Sequence, residues 1–259
     1  MRVHVISDVH GAHQHLARAG AGADALLCLG DLALFVDYAD PGRGVFADLF
    51  GPDAVSHWIE LRDRHRFDEA RTYLHGLLAG LDGDPRAITE RLVRDQYRVL
   101  FAELPTPTYL TYGNVDMPHL WPDYLRDGLH FLDGEVVELD GWRVGFVGGG
   151  LPTPHQGLAV IDEHEYGAKV AALGPVDVLA AHIPPAIAEL SYDTVARRSE
   201  RGSQALLEAI HRHQPRYMLF GHVHNPLAGR LRIGRTECIN VGHFAATGRP
   251  YVLDWGDPR

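Results

Sequence analysis

Several short apolar runs in this 259-residue chain end in side chains that can bind a metal ion. The first run is followed by Asp8 and His10, and a later run by His222 and His224. Carboxylate oxygens combined with imidazole nitrogens suit Mn, Fe, Zn or Ni better than Ca. The complete set of residues at these strand ends is Asp8, His10, Asp31, Asn114, His182, His222 and His224.

Each of these residues also has an ordinary structural interpretation. An Asp after a strand is usually a turn residue or a helix N-cap, and a Gly-Asn pair such as Gly113-Asn114 is a common turn. A single His is more often a core or surface group than a metal ligand. Five strand ends that all carry metal-binding side chains are difficult to explain by turn chemistry alone. Their combination therefore favours a metal site.

The beginning of the chain predicts a βαβ unit that brings three of these side chains together. Apolar residues 2–6 and 25–29 indicate two strands with a short helix between them. The strands of such a unit are parallel, and ligands bind beyond the carboxyl ends of parallel strands. Because side chains alternate along a strand, Asp8 and His10 are expected to point in the same direction. Gly11 then allows a sharp turn.

The rest of the chain alternates between strand and helix patterns. Further strands are expected at 108–112, 135–139, 142–147, 176–180, 217–220, 227–233, 236–241 and 250–255. Short helices are expected at 12–19, 163–173 and 203–213. Asp140-Gly141, between two of these strands, is a strong signal for a hairpin. This order of elements is typical of an α/β protein.

Residues 35–105 differ from the rest of the chain because they are charged and helix-periodic. Helices are expected at about 53–78 and 85–104, separated by a short break. Asp84 and Pro85 fit the N-cap and the first position of the second helix. We interpret the region as a helical insertion between core strands. A cap over the metal site and an outer helical layer both fit the pattern, and polar helices more often form an outer layer.

The composition limits the partners that the chain can have. The net charge is −10, so there is no basic surface for nucleic acid or anionic membranes. No segment is apolar enough to span a membrane, and the chain begins with a strand pattern instead of a signal peptide. We therefore expect a cytoplasmic protein. Cys28 and Cys238 lie in apolar, strand-like runs, which predicts buried free thiols.

The order of the motifs resembles that of the calcineurin-like metallophosphoesterase superfamily. The resemblance runs from residue 3 to about residue 245 and omits the 35–105 insertion. The matching blocks are Asp8-x-His10, Gly30-Asp31, Gly113-Asn114-x-Asp116, His182 and Gly221-His222-x-His224. The resemblance implies an α/β fold, a four-layered αββα sandwich of two mixed sheets. We expect a single domain over residues 1–259 that carries the helical insertion.

The resemblance also implies two divalent metal ions, with Mn as the first choice and Fe, Zn or Ni as alternatives. Such a metal pair shares a hydroxide that attacks a phosphoryl group in line, so no catalytic Ser or Cys is needed. The expected substrate is a small phosphorylated molecule. Carried over by position, the ligands are Asp8, His10 and His224 for the first metal, Asn114, His182 and His222 for the second, and Asp31 bridging both.

One position departs from the family pattern. Many members have a His directly after the Asn, where this chain has Val115, which cannot donate a proton. Losing a general acid costs about 10²–10⁴-fold in rate, and poor leaving groups suffer most. We therefore expect a phosphodiesterase, or a phosphatase of activated monoesters. Histidines that could replace the proton donor are His13, His57, His65, His155 and His243.

Asp116 follows the departing position and resembles the family carboxylate that orients a neighbouring histidine. Together with Asp31 and Asn114 it completes the expected set of catalytic residues. Two other functions remain open. A non-catalytic scaffold with this fold would typically have lost ligands, whereas all seven are present here. A dedicated nuclease is disfavoured by the acidic charge and by the absence of a basic, aromatic-rich stretch.

Overall fold

The structure is a computed structural model that describes residues 1–153 and 158–256. Its strands are β1 (Arg2–Ile6), β2 (Ala25–Cys28), β3 (Thr108–Leu110), β4 (Leu129–Phe131), β5 (Glu135–Leu139), β6 (Trp142–Val147), β7 (Val178–Ala181), β8 (Tyr192–Asp193), β9 (Arg198–Ser199), β10 (Tyr217–Phe220), β11 (Arg230–Ile233), β12 (Thr236–Asn240) and β13 (Tyr251–Asp254).

The helices include both long α-helices and single turns. The α-helices are α1 (Leu16–Ala19), α2 (Val45–Phe50), α3 (Pro52–Asp63), α4 (Phe67–Ala79), α5 (Pro85–Glu103), α6 (Glu163–Leu173), α7 (Ala188–Ser191), α8 (Gln204–His213) and α9 (Phe244–Thr247). The 3₁₀ helices are His13–His15 and Pro118–Tyr124. As expected, the Asp84 side chain caps α5 by accepting a hydrogen bond from the Arg86 N–H.

Two mixed sheets form the centre of the molecule. The first has the strand order β13-β1-β2-β3-β4, in which only the edge strand β13 is antiparallel to its neighbour. The second has the order β11-β12-β10-β7-β6-β5, with four parallel central strands and an antiparallel strand at each edge. Strands β8 and β9 form a separate two-stranded ribbon.

The sheets and helices form four layers, and an apolar core lies between each pair of adjacent layers. Val5 of β1 and Ala180 of β7 belong to the core between the two sheets. Neighbouring strand residues point the other way: Leu26 of β2 packs in a core with residues of α5, and Met218 of β10 packs in a core with residues of α8. Each sheet therefore buries both faces, as parallel sheets require. The predicted four-layered αββα sandwich is confirmed.

The loops at the carboxyl ends of the parallel strands meet at one edge of the two sheets. Within the first sheet, the Asp8 N–H donates to the Gly30 carbonyl (3.0 Å). Between the sheets, the backbone N–H of His222 donates to the Asp8 carboxylate (2.9 Å). All the predicted metal ligands lie in these loops. The edge of the sheets is thus the position at which α/β folds bind ligands.

The insertion between β2 and β3 differs in detail from the sequence-based expectation. The expected helix at 53–78 is divided by a turn in which His65 adopts a left-handed conformation (φ 57°). Helix α2 was missed because six residues give too short a periodic pattern. Helices α2–α4 have a small core of their own that includes Trp58 and Ile59. Helix α5 instead packs Tyr97 and Phe101 into the outer core of the first sheet.

Two further expectations concern burial and membrane contact. Cys28 and Cys238 are free thiols buried in different cores, as predicted. Burial raises the pKa of both thiols to about 12, so neither is an available nucleophile near neutral pH. In the part of the chain that the structure describes, no helix is long and apolar enough to cross a membrane.

Candidate metal centre

One group of ligand atoms is formed by Asp8, His10 and His224. The Nε2 atoms of the two histidines are 3.3 Å apart, and His224 Nε2 lies 3.3 Å from Asp8 Oδ1. His10 is oriented by its other nitrogen, because Nδ1 donates to the Ala33 carbonyl (3.4 Å). Its Nε2 atom is therefore directed at the other two side chains. These three residues are the ones expected to hold the first metal.

The two oxygens of Asp8 have different roles. Oδ2 accepts the backbone N–H of His222, which ties the first sheet to the second. Oδ1 is buried and has no hydrogen-bond partner among the described residues. A buried carboxylate oxygen without a partner is costly unless a cation completes its environment. Oδ1 points at the two imidazoles of its group, so these residues fit a divalent metal.

A second group is formed around His182. Its Nε2 lies 3.0 Å from Asn114 Oδ1 and 3.3 Å from Asp31 Oδ2. Its Nδ1 donates to the Leu29 carbonyl (2.9 Å), which leaves Nε2 as the potential ligand atom. The ring of His222 is 5.1 Å from that of His182, and ligand atoms of Asp31, His182 and His222 all lie within 4.8 Å of one another. These are the residues expected to hold the second metal, together with the bridging Asp31.

Asp31 connects the two groups. Its Oδ2 atom is 3.3 Å from His182 Nε2 and 4.0 Å from His10 Nε2. Its Oδ1 atom accepts the backbone N–H of Val115 (2.9 Å), which fixes the carboxylate plane. The structure therefore brings together all seven residues expected to bind metal, with Asp31 between the two groups.

The carboxylates and imidazoles of this buried cluster change one another's pKa values. Burial favours the neutral form of Asp8, but the neighbouring imidazole of His224 holds the pKa of Asp8 well below its usual value. Burial likewise disfavours a charged His182, yet the charge and hydrogen bond of Asp31 raise the pKa of His182 to about 9. The carboxylates are thus ionised at neutral pH, as metal ligands must be. His182 is protonated in the metal-free protein and must release that proton to bind a metal.

Among the described residues, the hydrogen-bond partners of Asp116 are backbone N–H groups and a tyrosine hydroxyl, which differs from the expected contact with a histidine. Its carboxylate accepts hydrogen bonds from the backbone N–H groups of Asp31 (2.7 Å), Leu32 (2.9 Å) and Gly113 (2.9 Å). The Tyr97 hydroxyl of α5 also donates to it (3.2 Å). Burial, followed by the charge of Asp31, raises the pKa of Asp116 to about 6. Asp116 therefore holds the β2 and β3 loops together.

Backbone conformation positions several of the ligands. Strand β1 ends at Ile6, and Asp8 and His10 adopt left-handed conformations with φ of 58° and 40°. Strand alternation was therefore the wrong reason for expecting these side chains to converge, although they do. Asp31 (φ 55°) and His222 (φ 66°) are also left-handed. Such strained residues are concentrated at functional sites.

Two glycines allow the loops to approach the carboxylates. A Cβ atom on Gly113 would collide with the Asp31 carboxylate, and one on Gly221 would collide with the Asp8 carboxylate. Any larger residue at either position would displace a ligand. This explains in physical terms why Gly precedes Asn114 and His222.

The histidines considered as proton donors occupy different places. His57 contacts Glu60 on the exposed face of α3, and His65 packs on Phe67. His13 is half-buried in the 3₁₀ helix after the first loop. His243 lies in the centre itself, stacked on His224 with ring centroids 3.9 Å apart. His155 lies outside the described residues.

The structure adds charged residues that the sequence did not single out. Glu200, directly after β9, places Oε2 3.9 Å from His222 Nε2 and also accepts a hydrogen bond from Arg198. Arg62 of α3 lies over the Trp58 ring (4.6 Å from the guanidinium carbon to the centroid). Burial lowers the pKa of Arg62, and the charges of Arg198 and Glu200 also act on it. No motif marks these residues, because they come from irregular segments and from the insertion.

Comparison with known proteins agrees with this geometry. The sequence profile of the calcineurin-like phosphoesterases matches residues 1–226, and the chain belongs to this family. It is accordingly a metal-dependent phosphoesterase, a hydrolase of phosphoric esters. No curated protein matches the sequence.

Solved structures share the fold at low sequence identity. One is 16% identical with a TM-score of 0.59, and the match covers 94% of this chain and 91% of that chain. The protein TT1561 of Thermus thermophilus is 15% identical with a TM-score of 0.51, and the match covers 94% of this chain and 90% of that one. Similarity at this level extends to the fold alone.

Proposed function

We propose that the chain is a dinuclear metal-dependent phosphoesterase that hydrolyses small phosphodiesters. The observation that carries this proposal is the position of Asp31 Oδ2, 3.3 Å from His182 of one ligand group and 4.0 Å from His10 of the other. A carboxylate between two imidazole clusters can bind two divalent ions at once. Asp8, His10, Asp31 and His224 would hold the first ion, and Asp31, Asn114, His182 and His222 would hold the second.

The protein's own residues orient this ligand set before any substrate binds. The Val115 N–H and the Leu29 carbonyl fix the ligand atoms of Asp31 and His182. Divalent ions at these positions would supply Lewis-acid chemistry, which polarises phosphoryl oxygens and acidifies water. The donor set of carboxylates, imidazoles and one amide is compatible with Mn, which we propose as the first metal to test.

The preference for diesters follows from position 115. The Val115 side chain carries no proton to give to a leaving alkoxide, and its contribution is the backbone N–H that holds Asp31. Leaving groups that depart without protonation are therefore favoured. Such groups occur in activated phosphodiesters and in pyrophosphate-like linkages.

The proposal is tested with Mn²⁺-loaded protein and bis-p-nitrophenyl phosphate. We expect Mn²⁺-dependent hydrolysis in the wild-type protein, no activity in excess EDTA, and a loss of at least about 10³-fold in Asp31→Asn. Asp82→Asn is the matched control, because Asp82 is exposed in the loop before α5. Metal content is measured by elemental analysis for all three proteins.

Two results would contradict the proposal. Undiminished hydrolysis in EDTA or in Asp31→Asn would exclude the metal-dependent mechanism. A protein that retains no metal and has no metal-dependent activity would instead favour the non-catalytic scaffold.

A further inference from the structure

His243 lies beside the first ligand group but is outside the seven expected ligands. It follows the end of β12, the strand that extends the second sheet beyond β10. Its ring is 3.9 Å from that of His224, nearly parallel at 16°, and 5.6 Å from that of His10 at 81°. One nitrogen of each of these three histidines lies within 4.8 Å of the others.

The loop that carries His243 is fixed to the centre by hydrogen bonds. The Phe244 N–H donates to the Ser7 carbonyl (3.0 Å) and the Ala245 N–H to the Asp8 carbonyl (3.0 Å). On the other side, the Asn240 side chain accepts from the Gly242 N–H (2.9 Å) and donates to the Val223 carbonyl (2.9 Å). The position of His243 relative to Asp8 and His224 is therefore set by the fold.

The stacking argues against His243 as a ligand of the same ion as His224. An imidazole binds a metal through a lone pair in the plane of its ring. Two nearly parallel rings 3.9 Å apart cannot both contain one ion in their planes. If His224 binds the first metal as expected, the nitrogens of His243 are available for another partner.

The His243 ring has capacity for such a partner. Within residues 1–153 and 158–256, no side-chain or backbone group hydrogen-bonds its imidazole, and the residue is only half-buried. An imidazole carries at least one N–H in either protonation state. A donor next to a metal pair is well placed for an anionic oxygen, and hydrogen bonds to anions are among the strongest in proteins.

We propose that His243 is a substrate-contacting residue whose imidazole N–H donates a hydrogen bond to an oxygen of the substrate's phosphate group. It thereby supplies, from the end of β12, an imidazole contact that Val115 cannot make from the end of β3. This inference rests on the proposed phosphoesterase function. It adds a specificity-determining contact to the metal ligands.

The test compares His243→Ala with His243→Gln, which retains an N–H donor. Inorganic phosphate is titrated calorimetrically into each Mn²⁺-loaded protein, and KM and kcat are measured with bis-p-nitrophenyl phosphate. We expect His243→Ala to weaken phosphate binding about 10-fold or more and to raise KM, in line with hydrogen bonds to charged groups. His243→Gln should recover part of the affinity. His57→Ala, a histidine on the exposed face of α3, should bind phosphate like the wild-type protein.

Phosphate binding and metal content separate the outcomes. Unchanged phosphate affinity in His243→Ala would overturn the inference. Loss of one Mn²⁺ from that variant would also overturn it, because His243 would then act as a ligand. If the wild-type protein binds Mn²⁺ and phosphate but hydrolyses no ester, the proposed function fails, while the phosphate affinities still decide the role of His243.

Discussion

At position 115 the backbone and the side chain have separate roles. The backbone N–H holds Asp31 Oδ1, so the loop after β3 keeps the conformation that the ligand set needs. The Val115 side chain is half-buried and contributes no polar atom to the site. The absence of an imidazole here therefore changes the chemistry without changing the scaffold. Substitution at this position should alter substrate preference more than metal binding.

We predict that Val115→His increases monoesterase activity relative to diesterase activity by about 10-fold or more, because a general acid contributes most with a poor leaving group. The measurement is kcat/KM for an alkyl phosphate monoester and for bis-p-nitrophenyl phosphate at equal Mn²⁺ content. Val115→Leu, which changes size without adding a proton donor, is the control. An unchanged ratio, or an equal change in the Leu variant, would contradict the leaving-group argument.

Much of the site could be predicted from single residues because its ligands follow buried strands. The edge at which parallel strands end is defined by topology, so Asp31 and His182 could be placed there from the sequence. The left-handed conformations of Asp8 and His10 could not be predicted, because neither is the Gly that usually adopts them. Glu200 could not be found either, since its position depends on how the β8–β9 ribbon pairs with the loop after β10, where Asp193 forms a bridge to Pro226.

At the scale of elements, α5 connects the insertion to the metal-binding loops. The Tyr97 hydroxyl accepts the Met117 N–H (2.8 Å) and donates to Asp116 (3.2 Å). The side-chain amide of the preceding residue, Gln96, bonds both the N–H (2.8 Å) and the carbonyl (2.9 Å) of Leu34. The helix thus holds the loops after β2 and β3 through these hydrogen bonds. Helix α5 therefore supports the metal-binding loops and also forms part of the outer helical layer.

We predict that Tyr97→Phe destabilises the protein by about 1–3 kcal/mol, because it leaves the buried Met117 N–H without its acceptor. The free energy of unfolding in urea provides the measurement. Tyr73→Phe is the control, since Tyr73 on α4 packs against His57 and is only half-buried. Equal stability of the two variants would show that the contact between α5 and Asp116 is energetically unimportant.

Elements with a long or clear pattern were predictable, and short ones were not. The hairpin of β5 and β6 has the bounds expected from its alternation and its Asp140-Gly141 turn. Strand β4 was missed because its three residues, Leu129–Phe131, become a strand only by pairing with β3. The break between α3 and α4 was missed for a similar reason, since a single left-handed residue interrupts an otherwise continuous helical pattern.

For the whole molecule, the important feature is that both sheets contribute to each ligand group. The first group combines Asp8 and His10 from the first sheet with His224 from the second. The second combines Asp31 with His182 in the same way. Metal ions bound here would link the two sheets across their edge, in addition to the apolar core between them.

We predict that removing metal lowers the Tm of the protein by about 5 °C or more when the loaded sample contains free metal at about 100 times Kd. Tm is measured by calorimetry in Mn²⁺ and in EDTA. Asp31→Asn should show a smaller shift, and Asp82→Asn the full shift. Equal Tm values with and without metal would indicate that the ligand groups do not link the sheets.

The distance along the chain between residues that meet at this edge has a consequence for the order of folding. His10 and His224 are 214 positions apart, and Leu29 and His182 are 153 apart. Neither ligand group is complete until β10 has been synthesised and docked, so the full metal site forms late in folding. Contacts absent from the folding transition state act on the unfolding rate. Bound metal should therefore prolong the lifetime of the native state and leave the rate of folding unchanged.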